Sequence, residues 1–363
     1  MLVATGPYTT RTAGALAERV AATMNVPFEV PGAYLHLTGS IGIAVARDRD
    51  TAEDLVRNAD TLMYRSKEIG ADGFAVFDQA MRDWAMQRAT VERDLHQAIE
   101  HGHLWLSYQP KMTLHSDAPV GFEALARWTH PTRGLVHPPD FIPIAEETGL
   151  ISIIGTWALE EPCRQAAAWR KLNGGLAVPV AVNLSARQLA EPSLPDLVVK
   201  LLERSGAEPS DLVLEVTESA VLYDTDGVSS RLRRLRDAGV RISIDDFGTG
   251  YSSLSYLQRL PIDELKIDQT FVLRLPFEAS STAIIGAVIN LAHAIGLDVV
   301  AEGVETEEQL NSLRGLSCDQ AQGFYLARPE PAADATARVM AHVSNLAGSH
   351  RTESGLLIAG AQG

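Results

Sequence analysis

The pattern of apolar and polar positions changes at about residue 104. From there, short apolar and β-branched runs alternate with longer segments of helical periodicity, as expected of a parallel α/β fold. The eight strand candidates are Leu104–Gln109, Val120–Trp128, Val178–Ser185, Leu212–Glu218, Arg241–Phe247, Glu264–Asp268, Asp298–Glu302 and Asp319–Leu326. Helices are predicted over Pro139–Leu172, Ala186–Ser205, Gly227–Ala238, Ala279–Ile295 and Glu305–Arg314. The alternation and the length of this span predict a (β/α)8 barrel of the TIM type.

The flanking segments have different patterns. In residues 1–80, we expect a helix around Ala13–Met24, a strand around Leu35–Ala46 and a helix over Thr51–Gly70, a set that is short for a core of its own. A connecting helix is predicted for residues 81–102 and the barrel for residues 103–335. Residues 336–363 are expected to form a terminal helix and, from Gly348, a disordered tail rich in glycine, serine and alanine.

Composition narrows the class of protein. A hydrophobic content of 46% is ample for a packed core, and the net charge of −15 argues against binding to a nucleic-acid polymer, which requires basic patches. A small anionic ligand is still compatible with this charge if a bound metal inverts the local potential. Cys163 and Cys318 are far apart and lie in no metal-binding spacing, so we predict neither zinc nor a disulfide, and a reducing cytoplasm as the location.

No membrane segment is predicted in the chain. The stretch Ala283–Ala301 is nearly continuous in apolar residues, but Asn290, His293 and Asp298 interrupt it, so it is interpreted as a buried helix followed by a strand. The beginning of the chain has no basic stretch followed by an unbroken apolar run, so no signal peptide is expected.

Polar residues recur at the ends of the predicted strands. Carboxyl ends of parallel strands converge on one rim of a barrel, where such residues are typical of catalytic sites. Oxygen ligands without cysteine or a histidine pair favour Mg²⁺ or Mn²⁺. The candidates are Glu123, Asn183, Glu215, Asp245, Asp246, Lys266 and Glu302.

Several of these residues have a second interpretation. Asp245 and Asp246 are adjacent carboxylates that repel each other unless cations lie between them, but Asp246 taken alone is better explained as a helix cap. Asn183 offers a neutral oxygen ligand or belongs to the first turn of a helix.

Two further positions also leave alternatives open. Glu218 anchors a neighbouring loop or is a capping or exposed acid, whereas Glu215 is assigned to metal. Lys266 lies in an apolar run and must pair with carboxylates or reach water, either as a structural ion pair with Asp268 or a barrel carboxylate, or as the group that orients or deprotonates a metal-bound water.

The segment Gly121–Trp128, which contains Glu123-Ala-Leu, resembles the signature of EAL domains, the cyclic-di-GMP phosphodiesterases. Further motifs of that family occur in the same order over roughly residues 85–335: Tyr108-Gln-Pro, Val182-Asn-Leu-Ser, Leu214-Glu-Val-Thr-Glu, Asp245-Asp-Phe-Gly-Thr-Gly-Tyr-Ser-Ser-Leu, Leu265-Lys-Ile-Asp, Ala301-Glu-Gly-Val-Glu-Thr and Gln322-Gly-Phe. The resemblance implies a modified barrel whose first strand is antiparallel, in contrast to eight equivalent strands.

The resemblance also implies a role for each matching position and two Mg²⁺ or Mn²⁺ ions. Glu123, Asn183, Glu215 and Asp245 would surround one metal, while Asp246 and Glu302 would serve the second, with Asp245 shared. Lys266 would lie beside the attacking water, and catalysis would involve Glu123, Lys266 and Glu302. Substrate would be contacted by Gln109, Arg127 and Gln322, and Gln322 would also lie near metal-bound water. The loop after Asp246 would be steadied by Glu218 and Glu305.

The N-terminal segment resembles the C-terminal half of a GGDEF (diguanylate cyclase) domain. The residues that carry this resemblance are Leu37-Thr-Gly-Ser-Ile-Gly-Ile-Ala, Asn58-Ala-Asp-Thr-Leu-Met-Tyr-Arg-Ser-Lys and Gly70-Ala-Asp-Gly-Phe. The Gly-Gly-Asp/Glu-Glu-Phe turn is not among them, so we expect no cyclase activity from this sequence. Either the chain is a fragment of a longer GGDEF-EAL protein, which could be anchored in a membrane upstream, or its start is truncated.

The leading hypothesis is therefore hydrolysis of cyclic di-GMP to linear pGpG by a two-metal site in a bacterial signalling protein. The main alternative is a receptor that binds cyclic di-GMP without turnover, and a third is an interaction protein that does neither. A homodimer is also predicted, because the loop after Asp246 could couple an interface to the metals.

Overall fold

The computed structural model describes residues 79–344, except 117, 223–226, 249–256 and 258, together with scattered short stretches before residue 79. The chain divides into two compact units, Met1–Asp94 and Leu95–Gly363. Each unit is described by itself. The predicted boundaries of the segments stay predictions. The C-terminal tail from Gly348 lies outside the described residues.

The first unit contains two small pairs of strands. Strand β1 (Phe28–Val30) pairs antiparallel with β2 (Ala33–Leu35), and β3 (Ile41–Ile43) pairs parallel with β4 (Phe74–Val76). The predicted strand over 35–46 therefore corresponds to parts of two strands, with residues 36–40 outside the description. Helical residues are described within 13–23 and 52–63, as the periodicity predicted.

The second unit alternates strands and helices. Helix α1 (Gln79–His101) leads into it. The strands are β5 (Leu104–Thr113), β6 (Pro119–His130), β7 (Gly134–Val136), β8 (Val180–Leu184), β9 (Leu212–Thr217), β10 (Arg241–Phe247), β11 (Glu264–Ile267), β12 (Asp298–Ala301), β13 (Gln320–Ala321) and β14 (Glu330–Pro331). The helices are α2 (Pro138–Thr148), α3 (Ile151–Leu172), α4 (Ala186–Ala190), α5 (Leu194–Ser205), α6 (Glu218–Leu222), α7 (Val228–Asp237), α8 (Gln269–Val272), α9 (Ala279–Ala294), α10 (Glu307–Gly315) and α11 (residues 332–344).

Eight of the described strands close into a barrel. Their order is β5-β6-β8-β9-β10-β11-β12-β13, and β13 returns to β5. All neighbours from β6 to β13 are parallel, whereas β5 is antiparallel to both β6 and β13. The expectation of eight equivalent strands is therefore wrong, and the antiparallel first strand implied by the family resemblance is confirmed. The reason is local, since a short turn after Thr113 sends the chain straight back along β6.

Two predicted helices are each divided in the structure. The segment predicted over 139–172 separates into α2 and α3 at Gly149, whose φ of 83° is the left-handed conformation that ends helices and suits glycine. The segment predicted over 186–205 separates into α4 and α5, because α4 ends at Ala190 and Pro192 disfavours helical backbone at Glu191, which is extended.

The barrel core is built from the strands and the helices that cover them. Trp169 of α3 is fully buried and its ring lies 5.2 Å from that of Tyr108 and 4.6 Å from that of Phe122. Its indole N–H donates to Thr336 Oγ1 of α11. The side chain of Trp169 thus packs β5 and β6, the first two barrel strands, against α11.

Candidate functional site

The centre of the site is the ammonium group of Lys266, which is 1% exposed. Among the described side chains, four carboxylates face it. The distances from Nζ are 2.6 Å to Glu302 Oε1, 3.0 Å to Glu215 Oε2, 3.0 Å to Asp245 Oδ1 and 3.8 Å to Glu123 Oε2. Asp268 instead caps α8 by accepting from the backbone N–H of Thr270, so it is not the partner of Lys266. The lysine joins acids from four different strands, of which Glu302 directly follows β12 while Glu123 and Glu215 lie within β6 and β9 and not at the strand ends where they were predicted.

Strand register explains why these residues meet. In the parallel ladder, Asn183 of β8 lies opposite Glu215 of β9, and side chains of paired residues point to the same face. Glu302 follows β12, where its N–H donates to the carbonyl of Ile267. Gln322 follows β13, where its N–H donates to the carbonyl of Ala301. The ladder bonds therefore continue past the strand ends and fix the backbone that carries the site.

A β-bulge brings both adjacent aspartates to the site. The register between β10 and β11 shifts between Ile244 and Phe247, so that two residues oppose one, and Asp246 has a φ of 55°. Neighbouring residues of a regular strand point to opposite faces, but a bulge re-aims one of them. Oxygens of Asp245, Asp246 and Glu302 consequently lie within 4.8 Å of one another. This triad of carboxylates is the group of described residues whose geometry suits a cation.

Amide side chains extend the cluster on the side of Glu123. Asn183 Nδ2 donates to Glu123 Oε1 at 2.7 Å, and Gln322 Nε2 donates to Glu123 Oε2 at 2.6 Å and to Gln109 Oε1 at 2.9 Å. Asn183 lies within β8, and Ser185 is the cap of α4, so the interpretation of Asn183 as a helix residue is wrong. Gln322 Oε1 is buried and has no partner within the described part of the chain, which leaves an acceptor for a ligand.

Glycine at position 323 permits the close packing that places Gln322. A Cβ atom at Gly323 would lie 2.2 Å from the backbone nitrogen and oxygen of Val304, a distance that no side chain tolerates. Val304 N–H in turn donates to the carbonyl of Gln322. The Gln322-Gly-Phe motif therefore has a steric explanation, because the segment must lie directly against the chain that follows Glu302.

A second buried lysine, which the sequence analysis missed, lies next to Glu215. Lys111 of β5 is 3% exposed, and its Nζ lies 2.9 Å from Glu215 Oε1 and 2.9 Å from Glu264 Oε1. The strand was predicted to end at Gln109, whereas β5 continues to Thr113 and carries Lys111 into the barrel. The signal was available, since Gln109 and Lys111 are two residues apart and share a face of an extended strand.

Charge and burial shift the pKa values of these groups. Burial raises the pKa of Glu302 to about 8, against the charge of Lys266, and burial also raises that of Glu123. Burial opposes ionisation of Glu215, but the ammonium groups of Lys111 and Lys266 outweigh it and lower the pKa of Glu215 to about 2. The two ammonium groups thus favour the ionised form of Glu215, whereas Glu302 and Glu123 hold negative charge only at a cost.

The remaining predicted residues lie around this cluster. Glu218 begins α6, and its Oε2 accepts the N–H of Gly248 at 3.1 Å, so it contacts the first residues of the loop after Asp246. That loop itself, residues 249–256, lies outside the described residues. Arg127 donates to the carbonyl of Ala126, and burial lowers its pKa. Glu305 is exposed and bonds through its backbone N–H to Gln309, so the structure does not bring its side chain into the cluster.

Comparison with known proteins identifies the family. The model of the EAL domain matches residues 92–329, and that of the diguanylate cyclase, GGDEF domain matches residues 1–73. The chain belongs to the EAL domain family, and its first residues belong to a GGDEF domain. Both resemblances inferred from the sequence are confirmed.

Individual relatives agree with this assignment. The bifunctional diguanylate cyclase/cyclic di-GMP phosphodiesterase MucR of Pseudomonas aeruginosa is 45% identical over 90% of this chain and 48% of its own length. The cyclic di-GMP phosphodiesterase PdeR of Escherichia coli is 36% identical over 88% of this chain and 48% of its own length. A structure of the PaMucR phosphodiesterase in complex with c-di-GMP is 50% identical, with a TM-score of 0.65, over 68% of this chain and 99% of the other. The chain spans about half the length of these two curated relatives.

Proposed function

We propose that this chain hydrolyses cyclic di-GMP to linear pGpG. The observation that carries the proposal is the convergence of Glu123, Glu215, Asp245 and Glu302 on Lys266, next to the second aspartate Asp246. Such an excess of buried carboxylates is unfavourable unless cations balance it. The relatives described as cyclic di-GMP phosphodiesterases support the choice of substrate.

The donor set fits two Mg²⁺ or Mn²⁺ ions. The described ligand candidates are carboxylate and amide oxygens, which hard divalent cations prefer, and the unpartnered Gln322 Oε1 is a further oxygen acceptor, suited to a bound water. Asp245, Asp246 and Glu302 would hold one ion, and Glu123, Asn183 and Glu215, with Asp245 shared, would hold the other. When bound, such ions lower the pKa of water and neutralise the charge of a phosphodiester.

The protein groups would position the reactants. Lys266 would orient the attacking water through its N–H donors, since Nζ already lies among the carboxylates that would hold the ions. Gln109 and Gln322, whose side chains are hydrogen-bonded to each other, would contact the substrate together with Arg127. Glu218 would steady the loop after Asp246 through Gly248. The side chain of Glu305 is exposed. Glu305 would therefore steady the loop after Asp246 only through the start of α10, where its backbone N–H donates to Gln309 Oε1.

A hydrolysis assay tests the proposal. The protein is incubated with cyclic di-GMP and Mg²⁺ or Mn²⁺, and the products are separated by chromatography. We expect pGpG from the natural sequence, and none from Glu123→Gln, which keeps the side-chain volume but removes a ligand charge. Glu203→Gln, at an exposed position of α5, is the matched control and should retain full activity. Binding of cyclic di-GMP without pGpG would show a receptor in place of an enzyme.

Two further aspects belong to this proposal. A homodimer is proposed, and light scattering at the assay concentration tests it, because a fully active monomer would contradict it. A cytoplasmic location is proposed from the free thiols Cys163 and Cys318. In the part of the chain that the structure describes, no helix is both long and apolar enough to cross a membrane.

A further inference from the structure

Lys111, Glu215 and Glu264 form a layer of charges beneath the site, in which the lysine has two acidic partners. Lys111 enters from β5, the antiparallel strand, and Glu264 enters from β11, one of the parallel strands. Their side chains are each 4% exposed, and that of Glu215, which Lys111 also contacts, is fully buried. Lys111 thereby joins strands that are not neighbours in the barrel.

Stability alone does not account for this layer. Removing an ammonium and a carboxylate from water is costly, and apolar side chains of similar volume often fill such a space with equal or greater stability. The contact with Glu215 gives the layer a different use. Lys111 holds Oε1 of that carboxylate while Lys266 holds Oε2, each at 2.9–3.0 Å. Two donors on two oxygens fix both the position and the plane of the carboxylate.

Glu264 has an electrostatic consequence for the same carboxylate. A lysine beside Glu215 would by itself cancel the negative charge that a divalent cation needs. The second carboxylate of the layer compensates Lys111, so that Glu215 gains a fixed position and keeps its attraction for a cation. Groups behind a metal ligand commonly act in this way, and their loss lowers metal affinity by about 10–100-fold.

We propose that Lys111 and Glu264 are positioning residues, which hold Glu215 in a metal-binding orientation from beneath the site. This inference rests on the proposed function for the identity of the ligand, a divalent cation. It differs from that function in making a claim about metal affinity, which is measured without substrate.

The test is a titration of the metal-stripped full chain with Mn²⁺, in which electron paramagnetic resonance measures the free ion. We expect Lys111→Met to raise the Kd for Mn²⁺ by about 10–100-fold and Glu264→Gln by about tenfold. The direction in which Lys111→Met changes the Kd for Mn²⁺ is decisive. If Lys111 acted only as a positive charge near the metals, its removal would tighten binding, whereas loss of the anchor weakens it.

Two control variants separate positioning from general damage. Ser243 lies opposite both Glu215 and Glu264 in strand register, is fully buried, and its hydroxyl has no partner among the described groups. Ser243→Ala should leave the Kd for Mn²⁺ within twofold of the natural value. Asp211→Asn breaks a buried ion pair with Arg170 away from the site, so it reports the effect of a weakened fold on metal binding.

The outcomes are distinct. Weaker Mn²⁺ binding in both variants, at temperatures where circular dichroism shows them folded, supports the proposal even if the natural chain produces no pGpG, a result that would count against the phosphodiesterase alone. Unchanged or tighter Mn²⁺ binding in Lys111→Met overturns it. Equal weakening in Asp211→Asn would also overturn it, because the effect would then follow from stability.

Discussion

Two buried ion clusters of the barrel unit differ in the balance of their charges. Around Lys266, four carboxylates approach one ammonium group. On the outside of the barrel, the buried carboxylate of Asp211 meets the guanidinium of Arg170 at 2.7 Å. Arg170 also donates to Ser210 Oγ and to the carbonyl of Gly175, so this pair is matched in charge and satisfied in hydrogen bonds.

The difference teaches that burial of charge does not by itself indicate function. A matched pair such as Arg170–Asp211 joins α3 to the turn before β9 and needs no further partner. The acids around Lys266 outnumber it, and burial, together with the charge of neighbouring carboxylates, raises the pKa of Glu302 and Glu123. An uncompensated excess of this kind lowers stability and is relieved by added cations. Imbalance, rather than the number of buried charges, therefore marks the site.

The largest effect should come from the centre of the unbalanced cluster. Lys266→Met removes the only donor that faces all four described carboxylates, so we expect kcat for cyclic di-GMP hydrolysis to fall by about 10²–10⁴-fold. Steady-state kinetics at saturating Mn²⁺ checks this. If kcat stays within tenfold of the natural value, Lys266 serves only as a counter-charge, and the two clusters are more alike than proposed.

The balanced cluster should show the opposite behaviour. Asp211→Asn leaves Arg170 without its charge partner and should lower the free energy of unfolding by about 3 kcal/mol, since breaking a buried pair is costly. At a temperature where the variant is folded, its kcat should stay within twofold of the natural value. Urea denaturation measures the first quantity and the hydrolysis assay the second. A large loss of kcat in the folded variant would contradict the separation of the clusters.

The unbalanced cluster should also give the barrel unit a pH dependence of stability. Burial raises the pKa of Glu302 to about 8, above the value near 4.5 expected in the unfolded chain. Between these values the folded state retains a proton that the unfolded state has lost, so rising pH favours unfolding. In the presence of EDTA, we expect Tm to decrease from about pH 5 to pH 8.

Glu302→Gln is the control for this pH dependence. The glutamine side chain at position 302 cannot ionise. The Tm of this variant should therefore decrease less over the same pH range than the Tm of the natural chain. Addition of Mn²⁺ should raise the Tm of the natural chain more at pH 8 than at pH 6, because cations favour ionised carboxylates. An identical pH profile for both proteins would show that Glu302 titrates normally.

Much of the fold was predictable because apolar patterning repeats along the chain. Each of the eight barrel strands overlaps a predicted strand, although β13 covers only Gln320–Ala321 of the strand predicted over Asp319–Leu326. The acids of the site were found because their residue types stand out in apolar surroundings. The divisions within two helices were missed, although Gly149 and Pro192 are local signals for them. Lys111 was missed because the predicted strand ended at Gln109, four residues before the end of β5 at Thr113, which shows how strongly site assignment depends on strand length.

The sequence by itself determined the residue types of the site, the order of the strands and the resemblance to the EAL family. Only the tertiary structure decided how these residues combine. Asp245 and Asp246 reach one site because a bulge and a φ of 55° at Asp246 redirect neighbouring side chains. Lys111 reaches Glu215 because barrel closure brings β5 across from β9. Periodicity is a property of neighbours along the chain, whereas charge balance depends on groups that more than 100 residues separate.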